Sequence, residues 1–136
     1  MEVSFAVLAD SANISREGKL NIMGMFDAIH AAGFPVTHPQ MQLVIRFEAS
    51  AAEARQSKRV DVKFMDEDGK IVFALGGNLT LGESRGGERL RVDHILGFAA
   101  VRLEKPGHYE FKIFVNGEPI KDVALKVIPL AAPPVT

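Results

Sequence analysis

The residues best placed to do chemistry in this chain are four histidines, an acidic turn and a glycine-rich charged loop. His30, His38, His94 and His108 show no i,i+4 helical spacing and no acidic neighbour at zinc-motif distance. His30 and His38 share one loop and could converge with Asp27 on a cation, although ordinary loop histidines are the simpler reading. Asp66, Glu67 and Asp68 could offer carboxylates to calcium, which needs six or more oxygens from converging segments. An Asp-Gly turn closing a hairpin explains the same residues without a metal. Gly82 to Arg89 lacks the Gly-Lys-Ser/Thr ending of a phosphate loop. Arg85, Arg89, Arg91 and Arg102 could form a small basic patch, which Glu83 and Glu88 dilute. Ser84 and His94 are ten residues apart, and no Gly-x-Ser-x-Gly elbow exists. Catalytic, cofactor and metal residues are therefore expected to be absent, and the chain is read as not an enzyme.

Composition narrows the classes further. A chain of 136 residues is one domain. Without cysteine it has neither disulfides nor thiolate metal sites, which fits a reducing compartment. Met1 to Phe5 has no basic n-region, and the apolar run ends at Ala9, so no signal peptide or membrane span is read there. The expected location is cytoplasmic. A net charge of −1 creates no global field for nucleic acid or anionic lipid. With no tryptophan and one tyrosine, base-stacking and carbohydrate platforms lack their aromatic faces. Neither membrane nor nucleic acid is an expected partner.

The elements that must position any site are short strands. Val3, Phe5 and Val7 alternate with Ser4, Ala6 and Leu8. Asp10 to Asn13 reads as a polar break, and Ser15 to Gly18 as a turn. Lys19 to Ile29 reads as a strand with Leu20, Ile22, Gly24 and Phe26 on one face and Met23 and Met25 on the other. Gly24 suggests a bulge or a close backbone approach. His30 to Pro39 is a loop, because Pro35 and Pro39 exclude regular pairing. Met41, Leu43, Ile45 and Phe47 are the cleanest period-two run. Ser50-Ala51-Ala52-Glu53 matches a capping box, so Ala51 to Gln56 is expected as a short helix. Val60 to Phe64 and Ile71 to Leu75 form a hairpin, after which Gly76-Gly77 is expected to kink or bulge the strand.

The clearest element runs from Leu103 to Val127. Asn116-Gly117 between alternating runs is a type I′ hairpin signal. Tyr109, Phe111, Ile113 and Val115 share one face with Val123, Leu125 and Val127. Leu103-x-x-Pro106-Gly107-x-Tyr109 is how many β-sandwiches enter a central strand, with the tyrosine hydroxyl bonded back to the preceding corner. Gly107, Tyr109, Asn116 and Gly117 are thus the expected structural residues. The fold expected is all-β: an antiparallel two-sheet sandwich, immunoglobulin-like or jelly-roll-like, with one short helix, spanning residues 1–129, followed by an extended tail at 130–136.

The run Leu8-Ala9-Asp10-Ser11-Ala12-Asn13-Ile14-Ser15-Arg16-Glu17-Gly18-Lys19-Leu20-Asn21-Ile22-Met23-Gly24 resembles the opening of a family of short bacterial proteins. His38-Pro39-Gln40-Met41 and Pro106-Gly107-x-Tyr109-x-Phe111 through Asn116-Gly117 resemble its later landmarks. That family is known only as a domain of unknown function, so the resemblance implies a compact bacterial domain and transfers no catalytic residue.

What remains is apolar character on faces that should be wet. Met23 and Met25 oppose Leu20 and Ile22, Val44 opposes Leu43 and Ile45, and Phe114 opposes Ile113 and Val115. Several such residues on different strands could build a patch larger than a monomer usually exposes, unless the short helix, the Pro35 loop or the tail covers them. Met23, Met25, Val44 and Phe114, with Leu130 from the tail, are the candidate interface. The expected function is a non-enzymatic, self-associating or protein-binding sandwich, its partner a homo-oligomeric copy or another protein. The alternatives are a small-ligand or calcium-binding module and a hydrolase-like enzyme.

Overall fold

The computed structural model describes residues 1–130. Nine strands run through it in chain order. They are β1 (Glu2–Ile14), β2 (Leu20–Phe26), β3 (Ala28–Ala31), β4 (Val36–Ala49), β5 (Ser57–Met65), β6 (Ile71–Thr80), β7 (Leu90–Leu103), β8 (Gly107–Val115) and β9 (Glu118–Pro129). They form two sheets, one ordered β2-β1-β4-β7 and one β3-β9-β8-β5-β6. Every pair is antiparallel except β3 with β9. The molecule is an all-β sandwich.

Alternation selects the buried face. Met41, Leu43, Ile45 and Phe47 of β4 pack against Val62 and Phe64 of β5, Phe111 and Ile113 of β8, and Leu125 of β9. Phe98 brings the first sheet into an aromatic cluster with the second, its ring 5.0 Å from Phe73 and 5.5 Å from Phe111. Phe64 stacks between Phe111 at 4.4 Å and Tyr109 at 5.3 Å. Such pairs add about 0.5–1.5 kcal/mol each beyond the area they bury.

The β8–β9 turn has Asn116 at φ 49° and Gly117 at φ 82°, the left-handed pair a type I′ turn requires. Asn116 also ties this turn to β5, because its Oδ1 accepts the Arg59 backbone N–H at 2.9 Å. Gly107 opens β8 against the Glu67 side chain. The Tyr109 hydroxyl donates to the Lys105 carbonyl at 2.7 Å.

Several sequence expectations change. Asp10 to Asn13 is strand, not a break, because β2 continues the ladder from Ala9↔Met25 to Ile14↔Leu20 after β4 has left it. His30 to Pro39 is not one loop. Its first residues belong to β3, carried by β9, and its last belong to β4. Pro39 is tolerated because β4 pairs with β1 only from Gln42 onward, so one edge is free at Pro39. The expected helix is a single 3-10 turn, Ala51–Glu53. Gly76-Gly77 makes no bulge, and the β5–β6 register runs unbroken from Ser57↔Thr80 to Phe64↔Phe73.

Candidate interaction surface

β1 and β2 leave the sandwich together. The last β1–β4 pair is Ala9↔Gln42, and beyond it β2 is hydrogen-bonded to β1 alone. Phe26 packs against the core, but Ile14, Leu20, Ile22, Met23 and Met25 do not. The expectation that Leu20 and Ile22 face the core is corrected here, since period two gives the face of a strand but not whether a second sheet lies beneath it. Met23 is 58% exposed and Met25 63%. Gly24 lies between them at φ 70°, and a side chain there would collide with the Asp10 carboxylate. Glycine thus permits this close approach, and the β1–β2 register is the same on both sides of it.

The sheet face below this hairpin is part apolar. Val7, Val44 and Ile95 stand in one row across β1, β4 and β7. Val44 is 0% exposed, so its neighbours already cover it and it is no surface contact. The next row is Phe5, Arg46 and Asp93. Arg46 grips Asp93 through Nε–Oδ1 at 2.7 Å and Nη2–Oδ2 at 3.1 Å, while its guanidinium lies 5.1 Å from the Phe5 ring centre. The Asp93 carboxylate pushes the Arg46 pKa still higher. At the root of the hairpin, Met25 borders a notch of about 330 Å³ with Val7, Phe26, Val123 and Ala124.

The remaining candidates do not join this surface. Phe114 sits on the outer face of the other sheet beneath the Lys63 ammonium, 4.9 Å from its ring centre. Leu130 is exposed at the β3 edge, its backbone N–H donating to the Ala31 carbonyl at 2.9 Å. The rest of the expected tail, 131–136, lies outside the described residues.

The chemically suggestive residues are dispersed. His30 is exposed on β3, His108 is exposed on β8, and His38 lies 6.0 Å from the Phe26 ring. Among the described residues no three histidine, aspartate or glutamate side chains converge as metal ligands. Asp66 Oδ1 accepts the backbone N–H groups of Asp68 and Lys70 at 3.0 and 2.9 Å, a turn closed on itself. Ser84 Oγ donates to the Glu88 carbonyl at 2.7 Å, while His94 sits on the core-facing side of β7 beside Leu96. Arg89 pairs with Glu2, and Arg102 with Glu104 at 2.7 Å. They flank β7 at opposite ends, roughly 40 Å apart at about 3.3 Å per residue, and so form no single patch. No described helix is long and apolar enough to cross a membrane.

The most shifted carboxyl belongs to Glu53. It accepts the Met1 ammonium at 2.7 Å, Lys58 at 3.0 Å and the Ser50 backbone N–H at 2.8 Å. These donors, the ammonium foremost, lower its pKa to about 2. The cluster staples the first strand to the 3-10 turn and presents nothing outward.

A family model matches residues 4–128; its description is a family of unknown function, DUF6941. No curated protein matches the chain. Among solved structures, the Pseudomonas fluorescens alkylpurine DNA glycosylase AlkC, bound to DNA containing an abasic site analog, is similar at 18% identity and a TM-score of 0.47. The likeness covers 75% of this chain and 28% of that one. A DNA-bound protein is thus among the similar structures, against the expectation that nucleic acid is not a partner. A likeness at that level assigns neither partner nor activity.

Proposed function

We propose that this chain, which belongs to the DUF6941 family of unknown function, is a non-enzymatic β-sandwich that associates with a second copy of itself through the β1–β2 hairpin. The observation that carries this reading is the pair Met23 and Met25, both more than half exposed on a hairpin outside the core. Methionine is adaptable and favoured in interface cores.

A second copy fits for two reasons. Asp10, Arg16, Glu17 and Lys19 cancel in charge, so two hairpins do not repel each other. Lys19 precedes β2 and Asp27 follows it, so a twofold axis near Met23 sets each Lys19 against the other copy's Asp27. The contact is made chiefly by the exposed methionine side chains.

Light scattering across a concentration series tests it. The mass should rise from 14.8 kDa towards twice that value. Met23→Glu with Met25→Glu should hold it at the monomer value with an unchanged far-ultraviolet spectrum. A monomer at every concentration, or a dimer untouched by the double substitution, overturns the reading.

A further inference from the structure

Gly77 occupies a core-facing position. It pairs with Val60, two residues along β6 from Leu75, and both of those side chains pack against the core. A Cβ built on Gly77 would meet nothing within 4 Å. Across the open side of the sandwich, His94 takes a core-facing position on β7, paired with the buried Ile45. Between the two strands lies a cleft of about 170 Å³, walled by Phe47, Val62, Leu75 and Leu96. Both flanking strands are sheet edges, so the cleft opens to solvent where the sheets part.

We propose that this cleft binds a small uncharged molecule with an apolar ring and a single hydroxyl group, of which phenol is the simplest representative. Size supports a ring, since an apolar cavity of about 150 Å³ is enough to take up benzene. Charge excludes an ion, because no aspartate, glutamate, lysine or arginine lines the cleft. The hydroxyl follows from His94. Burial alone lowers its pKa, with no charge or hydrogen bond contributing. Asn78 also borders the cleft, but it is exposed and alternates with Gly77 and Leu79 to the other face of β6, so the His94 imidazole is the polar side chain on the inner face and offers one nitrogen as acceptor and the other as donor. A hydroxyl can satisfy either, whereas benzene satisfies neither. The glycine at position 77 leaves the space open that any larger residue would fill.

The full chain, carbon-labelled at its methyl groups, should be titrated by nuclear magnetic resonance with phenol, benzene and benzoate. Phenol should give saturable shifts confined to Val60, Val62, Leu75, Leu79 and Leu96 and to the His94 ring. Benzene should saturate the same signals about five- to tenfold more weakly, the worth of one hydrogen bond. Benzoate should leave them unmoved. Gly77→Val should fold and lose saturation, with Gly77→Ala reading the same effect if the valine variant unfolds. His94→Leu should keep benzene binding and erase the preference for phenol. Three results would each overturn the assignment: no saturable shift with phenol, saturation that survives filling at Gly77, or a phenol preference that survives His94→Leu.

Discussion

Replacing Tyr109 by phenylalanine removes one oxygen from the place where the chain turns into its central hairpin. The ring is 4% exposed and lies 5.3 Å from Phe64, and phenylalanine keeps both the volume and the stacking. What is lost is the 2.7 Å hydrogen bond to the Lys105 carbonyl. A buried group left without its partner costs about 1–3 kcal/mol. Lys105 is itself exposed, so water can reach part of that carbonyl, and the lower half, about 1–2 kcal/mol, is expected. For a domain of this length that corresponds to a fall of roughly 3–8 °C in Tm. Urea and thermal unfolding followed by far-ultraviolet circular dichroism would measure it, with the slope of the urea transition unchanged. The wild type offers an independent check, because Tyr109 is the only tyrosine. Burial raises its pKa above 10.0, so phenolate absorption should appear at higher pH in the folded protein than in urea. Coincident unfolding midpoints, or a tyrosine that titrates identically folded and unfolded, would refute the corner as a source of stability.

Two further substitutions test the frame around that corner. Glu53 has a folded pKa of about 2 against 4.5 for the unanchored group, so its stabilisation is present above pH 4.5 and is lost as pH falls towards 2. Glu53→Gln should cost about 1–2 kcal/mol at neutral pH, after discounting for solvent screening of a partly exposed cluster, and almost nothing near pH 2. Urea midpoints measured across that range decide it, and a pH-independent difference counts against the ion cluster. Asn116→Ala keeps the left-handed φ of 49° without the side-chain amide that makes asparagine tolerant of it, and removes the acceptor of the Arg59 N–H, so chemical denaturation should show a loss of about 1–3 kcal/mol.

The sandwich is legible where strands alternate over a common core. Tyr109 to Val115 and Val123 to Val127 declare their inner face, and Asn116-Gly117 declares the turn, because both signals are local. Pairing that depends on a distant strand is not legible. Nothing in Ala28 to Ala31 announces that β9 will adopt it in parallel. Asp10 to Asn13 looks like a break because its residues are polar, yet a hairpin that buries neither face has no need of apolar ones. The short helix shrinks for a related reason. Ser50 and Glu53 supply a capping box, but Ala51 to Gln56 has no apolar stripe to pack, and a single turn is all that local capping sustains.

The same limit divides the candidate surface. Period two separates Met23 and Met25 from Leu20 and Ile22 but cannot distinguish a strand over the core from one projecting past it. In the projecting hairpin both faces are partly wet, which enlarges the apolar surface beyond the two methionines. Val44 shows the opposite error, since an apolar residue on an outer face can be sealed by its own row, Val7 and Ile95, with Arg46 and Asp93 alongside. His94 and Gly77 were available to the same pattern. In the run Leu90, Val92, His94, Leu96, Phe98, the histidine falls on an apolar face, and in Phe73, Leu75, Gly77, Leu79 the glycine does. Each departs from its own strand's alternation, and neither carries meaning alone, because a core histidine or a strand glycine has many ordinary explanations. Only the pairing of the sheets brings the missing side chain of one strand opposite the polar side chain of another. That meeting turns two local irregularities into one cleft with an imidazole on its inner face.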